Sequence, residues 1–203
     1  MIQPMPRGRP KTPDVDRRIL FAAQANFASR GVDGIAMDEL ARKIGVSKTT
    51  IYRSFRTKED LFKAALDFGL ARLPRASELT SGVTGAIEER LLIVARRASQ
   101  LLSSANYELI RRALASDLPR PLREHIRGRA VMPYLEAIDA YLRGEAAHGM
   151  LVLQDPRSAT SFFIALIAGP ETFRSRLGGV VFGPIDDSHL RNAVQVFIKG
   201  HSP

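Results

Sequence analysis

The 203-residue chain has no cysteine and no tryptophan, and it carries only four histidines. Without cysteine there can be no disulfide, no thiolate zinc site and no cysteine nucleophile. The histidines, His125, His148, His189 and His201, are scattered. None forms an H-x-x-x-H pair or stands at metal spacing from a carboxylate, so neither a metal nor a cofactor is expected. No G-x-S-x-G elbow occurs. The glycine-rich stretch Gly178-Gly179-Val180-Val181-Phe182-Gly183 lacks a phosphate-binding lysine and reads as a loop between helices. With no catalytic constellation, an enzyme is not expected. No apolar run approaches the roughly 18 residues that span a bilayer. The basic N-terminus is not followed by the apolar core of a secretory signal, so a cytoplasmic protein without a membrane partner is expected. No stretch alternates as a half-buried strand does, and the expected class is all-α.

The charge is one-sided. Thirty Lys and Arg against 21 Asp and Glu give +9, which suits a polyanionic partner. Residues 1–60 hold 12 basic against 7 acidic residues, and their net charge per residue is about three times that of the remainder. Residues 1–13 contain four prolines and the run Arg7-Gly8-Arg9-Pro10-Lys11, which cannot form a helix and has little to bury. This basic arm is either a plain tail or a minor-groove probe, with Arg7 and Arg9 meeting the concentrated negative potential of a narrow groove.

From Asp14 to Arg30, Ile19, Ala23 and Phe27 recur every four residues, Leu20 and Ala22 widen the stripe, and Gly31 can cap the end. The following segment, 37–56, reads as short helix, tight turn, short helix. Leu40 and Ile44 face inward, Ala41 is small where two helices cross, and Gly45 accepts a positive φ at the turn. Val46 fills the corner and Ser47 can cap the second helix. Ile51 and Phe55 return to the core. Lys48, Thr49, Tyr52, Arg53 and Arg56 are left on the opposite face with Thr50 at its edge, a short, polar, basic surface suited to a major groove.

The stretch Ile19–Leu66 resembles the N-terminal domain of the TetR family of transcriptional regulators. The match rests on Ala22-Ala23, Phe27, Gly31, Leu40-Ala41, Gly45-Val46-Ser47, Ile51-Tyr52, Phe55 and Lys58-Glu59-Asp60-Leu61. The resemblance implies that Thr49, Thr50 and Tyr52 face an operator and that Lys48, Tyr52 and Lys58 reach phosphates. Arg53 and Arg56 are added, as phosphate or base contacts, on charge and position alone. Two positions depart from the family pattern. Ala36 stands where a Ser or Thr usually caps the first helix of the motif, and Ser54 replaces a common His or Tyr.

Thr57-Lys58-Glu59-Asp60 opens a connecting helix expected to run about 17 residues to Pro74. In the resembled family it is a lever for the recognition helix; from its own residues it is equally a linker. A polar loop is expected at 75–85. Helical stripes follow through Ile87–Leu102 and Tyr107–Leu114, and Pro119 and Pro121 then break the chain. A long amphipathic segment runs to about His148, with its apolar face from Val131 to Leu142 and Pro133 either starting or kinking that helix. Asp155-Pro156 opens a helix with Ala159, Phe162, Phe163, Leu166 and Ile167 inward until Gly169-Pro170 interrupts it, and a last helix spans Asp187–Lys199.

The expected organisation is an arm at 1–13, a DNA-binding domain at 14–60 and a helical regulatory and dimerisation domain at 61–203. Candidate pocket residues are Phe62, Leu66, Leu91, Val94, Tyr107, Ile110, Tyr134, Ile138, Tyr141 and Phe163, an aromatic-rich set suited to a small apolar or aromatic effector if it is not ordinary core. The resemblance implies that the last two helices pair with a second subunit, which would place Ala159, Phe162, Leu166, Leu190, Val194, Phe197 and Ile198 at a dimer interface unless those stripes fill the monomer core. Two recognition helices one DNA turn apart would read a palindromic operator together. The functional expectation is a homodimeric repressor of double-stranded DNA released by an effector. An activating or ligand-independent regulator, and a helical protein-interaction module, are the alternatives.

Overall fold

A computed structural model describes residues 13–30, 36–115, 117–176 and 186–203. Every regular element among the described residues is helical: α1 (Pro13–Arg30), α2 (Met37–Ile44), α3 (Lys48–Ser54), α4 (Lys58–Leu70), a 3-10 turn (Ala76–Leu79), α5 (Ile87–Leu102), α6 (Ala105–Ala115), α7 (Arg120–Ile126), a π turn (Arg127–Val131), α8 (Met132–Ala147), α9 (Pro156–Arg176) and α10 (Asp187–Gly200). No helix among them is long and apolar enough to cross a membrane. The expected loop at 178–183, the cap at Gly31 and the arm with Arg7 and Arg9 lie outside the described residues.

The chain forms two compact units. The first comprises the described residues up to Arg72 together with Leu109–Ile126, and the second comprises Leu73–Glu108 and Arg127–Pro203. This division differs from the boundary expected at residue 60. The reason is packing: α4 lies along α1, with Phe27 meeting Phe62 edge-on at 4.9 Å near one end and Arg72 donating to Gln24 at 3.2 Å near the other. These two pairings make α1 and α4 antiparallel. The expected α1 stripe is the buried one, with Ile19, Ala22, Ala23 and Phe27 all inside. On the far side of α4, Asp67 meets His125 of α7 at 3.2 Å.

α4 is shorter than expected, 13 residues or about 20 Å. Its start is fixed by a reciprocal cap, Thr57 accepting from the Asp60 N–H at 3.0 Å and Asp60 accepting from the Thr57 N–H at 3.2 Å. Past Leu70 the Arg72 N–H turns to the Gly69 carbonyl at 3.1 Å, and Pro74, which has no N–H to donate to the Leu70 carbonyl, keeps the helix from continuing.

In the second unit α5, α8, α9 and α10 enclose one apolar cluster built on Leu91, Val94, Ile138, Leu142, Phe163, Ile167, Val194 and Phe197. Within the expected polar loop, Ala76–Leu79 instead form a 3-10 turn that buries Leu79. Arg97, from α5, holds that turn by donating to the carbonyls of Glu78 at 3.0 Å and Ser81 at 2.8 Å. Pro133 starts α8, directly after the wide π turn that accommodates its ring. Arg90 grips the buried Glu145 through both carboxylate oxygens.

Two expectations for α9 are overturned. Gly169-Pro170 does not end it, since the helix continues to Arg176. Proline supplies no N–H to the carbonyl four residues earlier, Leu166, and that carbonyl instead meets His189 Nε2 at 2.9 Å. Phe162 does not face inward: it is 59% exposed, because the buried apolar positions among the described side chains of α9, spaced every four residues, are Ala159, Phe163 and Ile167.

Candidate nucleic-acid interface

The α2–turn–α3 corner is built by backbone chemistry that the sequence encodes directly. α2 closes at Gly45 with φ of 69°, a left-handed conformation that glycine adopts without strain. The Val46 N–H then reaches back to the Ala41 carbonyl at 3.0 Å, turning the chain sharply. Ser47 caps α3 by accepting from the Thr50 N–H at 3.1 Å, and its hydroxyl also meets the Thr50 hydroxyl at 2.8 Å. The departure at Ala36 leaves α2 with no side-chain cap, and Asp38 and Glu39 in its first turn offset part of that loss.

Burial then sorts the two faces of α3. Ile51 is wholly inside, and Leu40 and Ala41 of α2 are buried with it. Lys48, Thr49, Tyr52 and Arg53 are exposed, and Thr50 is half-buried at the margin. Arg56 is also exposed but lies beyond α3, which ends at Ser54 with Phe55 as its cap. Lys58 is the first residue of α4. Seven of the nine expected DNA-contact residues therefore fall on one short stretch, 48–58.

Three contacts at this corner had no sequence signal, because their partners are far apart in the chain. Lys48 meets Asp38 at 2.9 Å, and the hydrogen bond to that carboxylate raises the lysine's pKa above its ordinary value. Both side chains are well exposed, so the pair contributes little to stability. Ser54 donates to Asp16 at 2.6 Å, which occupies the hydroxyl at the second departing position. Arg18 donates to the Ile44 carbonyl at 2.6 Å, tying α1 to the end of α2.

The expected pocket residues divide between the units. Phe62, Leu66 and Ile110 are buried in the first. In the second, Leu91, Val94, Ile138 and Phe163 are core, and Tyr107, Tyr134 and Tyr141 pack against that core. The Tyr134 hydroxyl donates to the Pro74 carbonyl at 2.8 Å. Tyr141 borders a groove of about 510 Å³ with Arg90, Glu145, His148 and Met150. Its hydroxyl is buried there without a hydrogen-bond partner among the described residues, and burial pushes its pKa above the ordinary range. Of the expected interface residues, Ala159, Leu190, Val194 and Phe197 are buried within the protomer, which leaves them little surface to offer a partner. Phe162 is exposed, and Leu166 and Ile198 are half-buried. Val196, 58% exposed on α10, was not anticipated, because it lies outside the stripe that forms the core.

A capped helix-turn-helix that buries its apolar face and presents a basic, hydroxyl-bearing second helix, within an all-α chain, defines a DNA-binding transcriptional regulator. Comparison with known proteins makes the class specific. Residues 19–65 match the profile described as bacterial regulatory proteins, tetR family, and residues 89–201 match the AefR-like transcriptional repressor C-terminal domain. The chain belongs to the TetR family of transcriptional regulators. Among its relatives, the HTH-type regulator YdeS of Bacillus subtilis is 26% identical over 196 residues, covering 96% of this chain and 93% of the relative. The DNA-binding transcriptional repressor TetR of Mycobacteroides abscessus is 29% identical over 164 residues, 81% of each chain. Among solved structures, a TetR regulator from Agrobacterium tumefaciens superposes with a TM-score of 0.78 at 18% identity, covering 96% of both chains. The flavonoid-responsive regulator FrrA gives 0.72 at 23% identity, over 95% of this chain and 99% of that one. Members of this family bind operator DNA and typically act as dimers.

Proposed function

We propose that the chain is a cytoplasmic, non-enzymatic, homodimeric repressor of a palindromic operator, released when a small apolar or aromatic effector binds its C-terminal helices. The observation that carries the DNA-binding part is the sorting of α3, with Ile51 fully buried and Lys48, Thr49, Tyr52 and Arg53 turned to solvent. Thr49, Thr50 and Tyr52 address the operator, and Lys48, Tyr52, Lys58, Arg53 and Arg56 address its backbone, which fixes position while the few base-edge contacts set sequence preference. Repression over activation is supported by the repressor description of the profile matched at 89–201 and of the Mycobacteroides relative. Release by an effector is a shift between two dimer states that space the recognition helices differently.

The test is binding to DNA from just upstream of the protein's own gene, titrated against salt, with Tyr52→Ala as control. Tight, palindrome-sized binding that weakens steeply with salt and is lost in the variant is the expected result. Equal, weak binding to all DNA, unchanged in Tyr52→Ala, would remove α3 from the reading role.

A further inference from the structure

On α1 of the first unit, Phe21 stands apart from the buried stripe and is 63% exposed, an unusual place for a large aromatic. It borders a groove of about 620 Å³ between α1, α2 and α4, within the size range of small-molecule sites. The Arg72 guanidinium carbon lies 4.0 Å from the Phe68 ring centroid and 5.7 Å from that of Phe21, within cation–π range of both rings. Beneath, Arg72 donates to Gln24, which is 8% exposed. A Cβ on Gly69 would come within 2.1 Å of the Gln24 amide nitrogen, so the glycine makes room for the glutamine that anchors the arginine. The bond to Gln24 engages one end of the guanidinium, whose five N–H donors in a planar fork suit a planar anion.

The charge around these rings is uneven. Arg17, Arg18 and Lys43 join Arg72 on the lining, against Asp14 as the one acid. Arg18 is bonded to the Ile44 carbonyl, whereas Arg17 and Lys43 have no acidic partner among the described residues. We propose that this groove binds an anionic amphiphile, a carboxylate on an apolar or aromatic body, with the carboxylate on the edge of Arg72 and the body against Phe21 and Phe68. Four cations against one acid select the charge of the ligand, and the exposed ring selects its apolar part. A nucleic-acid backbone satisfies the first demand but gains nothing from an exposed phenylalanine. The walls come from α1, α2 and α4, so an occupant clamps the scaffold that carries α3 and adjusts DNA binding from inside the DNA-reading unit. This site is independent of any effector bound by the C-terminal helices.

The experiment is equilibrium dialysis of the full chain with decanoate, with decanol as the uncharged control, on wild type, Arg72→Gln and Phe21→Ala, each checked for helix content. Saturable decanoate binding is expected, about tenfold weaker in Arg72→Gln and several-fold weaker in Phe21→Ala, with decanol bound far less well at this site. Nuclear Overhauser contacts from the acyl chain to the Phe21 and Phe68 rings locate the ligand and separate this site from any other on the chain. Decanoate affinity and ring contacts unaltered by both substitutions would overturn the proposal. So would absence of any ring contact at saturation, or Arg72→Gln weakening random-sequence duplex DNA while decanoate leaves the rings untouched.

Discussion

Lys48 and Lys58 each occupy the first position of a helix, α3 and α4. That is an unfavourable place for a cation, because the unsatisfied N–H groups at a helix start carry partial positive charge worth about 0.3–1 kcal/mol against it. α3 has no acid in its first turn to compensate. Asp38, paired with Lys48, and Glu59 and Asp60 in the first turn of α4 offset that cost, while the two lysines place positive charge where helix-start N–H groups receive phosphate oxygens. Lys58→Ala is accordingly expected to weaken binding to all DNA sequences alike and to flatten the salt dependence by about one unit. An unchanged slope in a filter-binding or anisotropy titration would take Lys58 out of the phosphate set. Thr49→Ala acts differently. It should cost about 1–3 kcal/mol at the operator and little on random DNA, with the thermal unfolding midpoint unmoved. Equal losses on both DNAs would assign Thr49 to the backbone instead.

At the scale of the element, α9 depends on a contact from outside itself. Pro170 deprives the Leu166 carbonyl of its helical donor, and His189 of α10 meets it at 2.9 Å. His189→Ala should therefore leave that carbonyl unpaired at a cost of about 1–3 kcal/mol in chemical denaturation. Pro170→Ala restores the N–H, so the double variant should recover most of the loss. Additive effects would show that the two positions are uncoupled. The start of α10 carries a second tie, in which Asp187 accepts from Arg96 of α5 and Arg191, and the Arg96 hydrogen bonds chiefly hold its carboxyl down at about 2. A carboxylate with a depressed pKa contributes stability above its unfolded value near 3.8, and that contribution disappears as pH falls through about 2. The side chain is half exposed, so the effect is small and screened by salt. Unfolding free energy should fall less between pH 4 and pH 2 in Asp187→Asn than in wild type. Identical slopes would mean that the Asp187 carboxyl titrates alike in the folded and unfolded chain, so that Arg96 and Arg191 do not favour its charged form. These two contacts also mark where reading the sequence fails. Gly45, Ser47 and Thr57 announce their roles locally, since a turn glycine and a capping hydroxyl act within three or four residues. So α1 to α4 and the exposed face of α3 were legible. The continuation of α9 past Pro170, the 3-10 turn held by Arg97 and the Ser54–Asp16 bond each depend on a partner 16 or more residues away, and periodicity carries no information about such partners.

For the whole molecule, the apolar stripes of α9 and α10 mislead because one helix has two faces. Ala159, Phe163, Leu190, Val194 and Phe197 are spent on the protomer's own core, with Phe163 and Phe197 meeting edge-on at 5.0 Å. Among the described residues, the large apolar side chains that remain outward are Phe162 on α9 and Val196 on α10, respectively 59% and 58% exposed. A single seven-residue recognition helix is a weak reader of DNA, and pairing two copies about a twofold axis is the economical remedy. If the outward residues of α9 and α10 form that pairing, a charge on them should separate the subunits while leaving each protomer folded, because neither side chain contributes to the buried core. Phe162→Glu and Val196→Glu are thus expected to sediment as helical monomers and to lose operator affinity by a factor on the order of 100, with random-sequence binding much less affected. Leu190→Glu is the contrasting variant: placed in the core, it should unfold the protein rather than dissociate it. Monomers from the first two and unfolding from the third would establish that α9 and α10 serve the core with one face and the partner with the other. A dimer that survives both outward charges would move the subunit contact elsewhere on the chain, and with it the spacing at which two copies of α3 meet the operator.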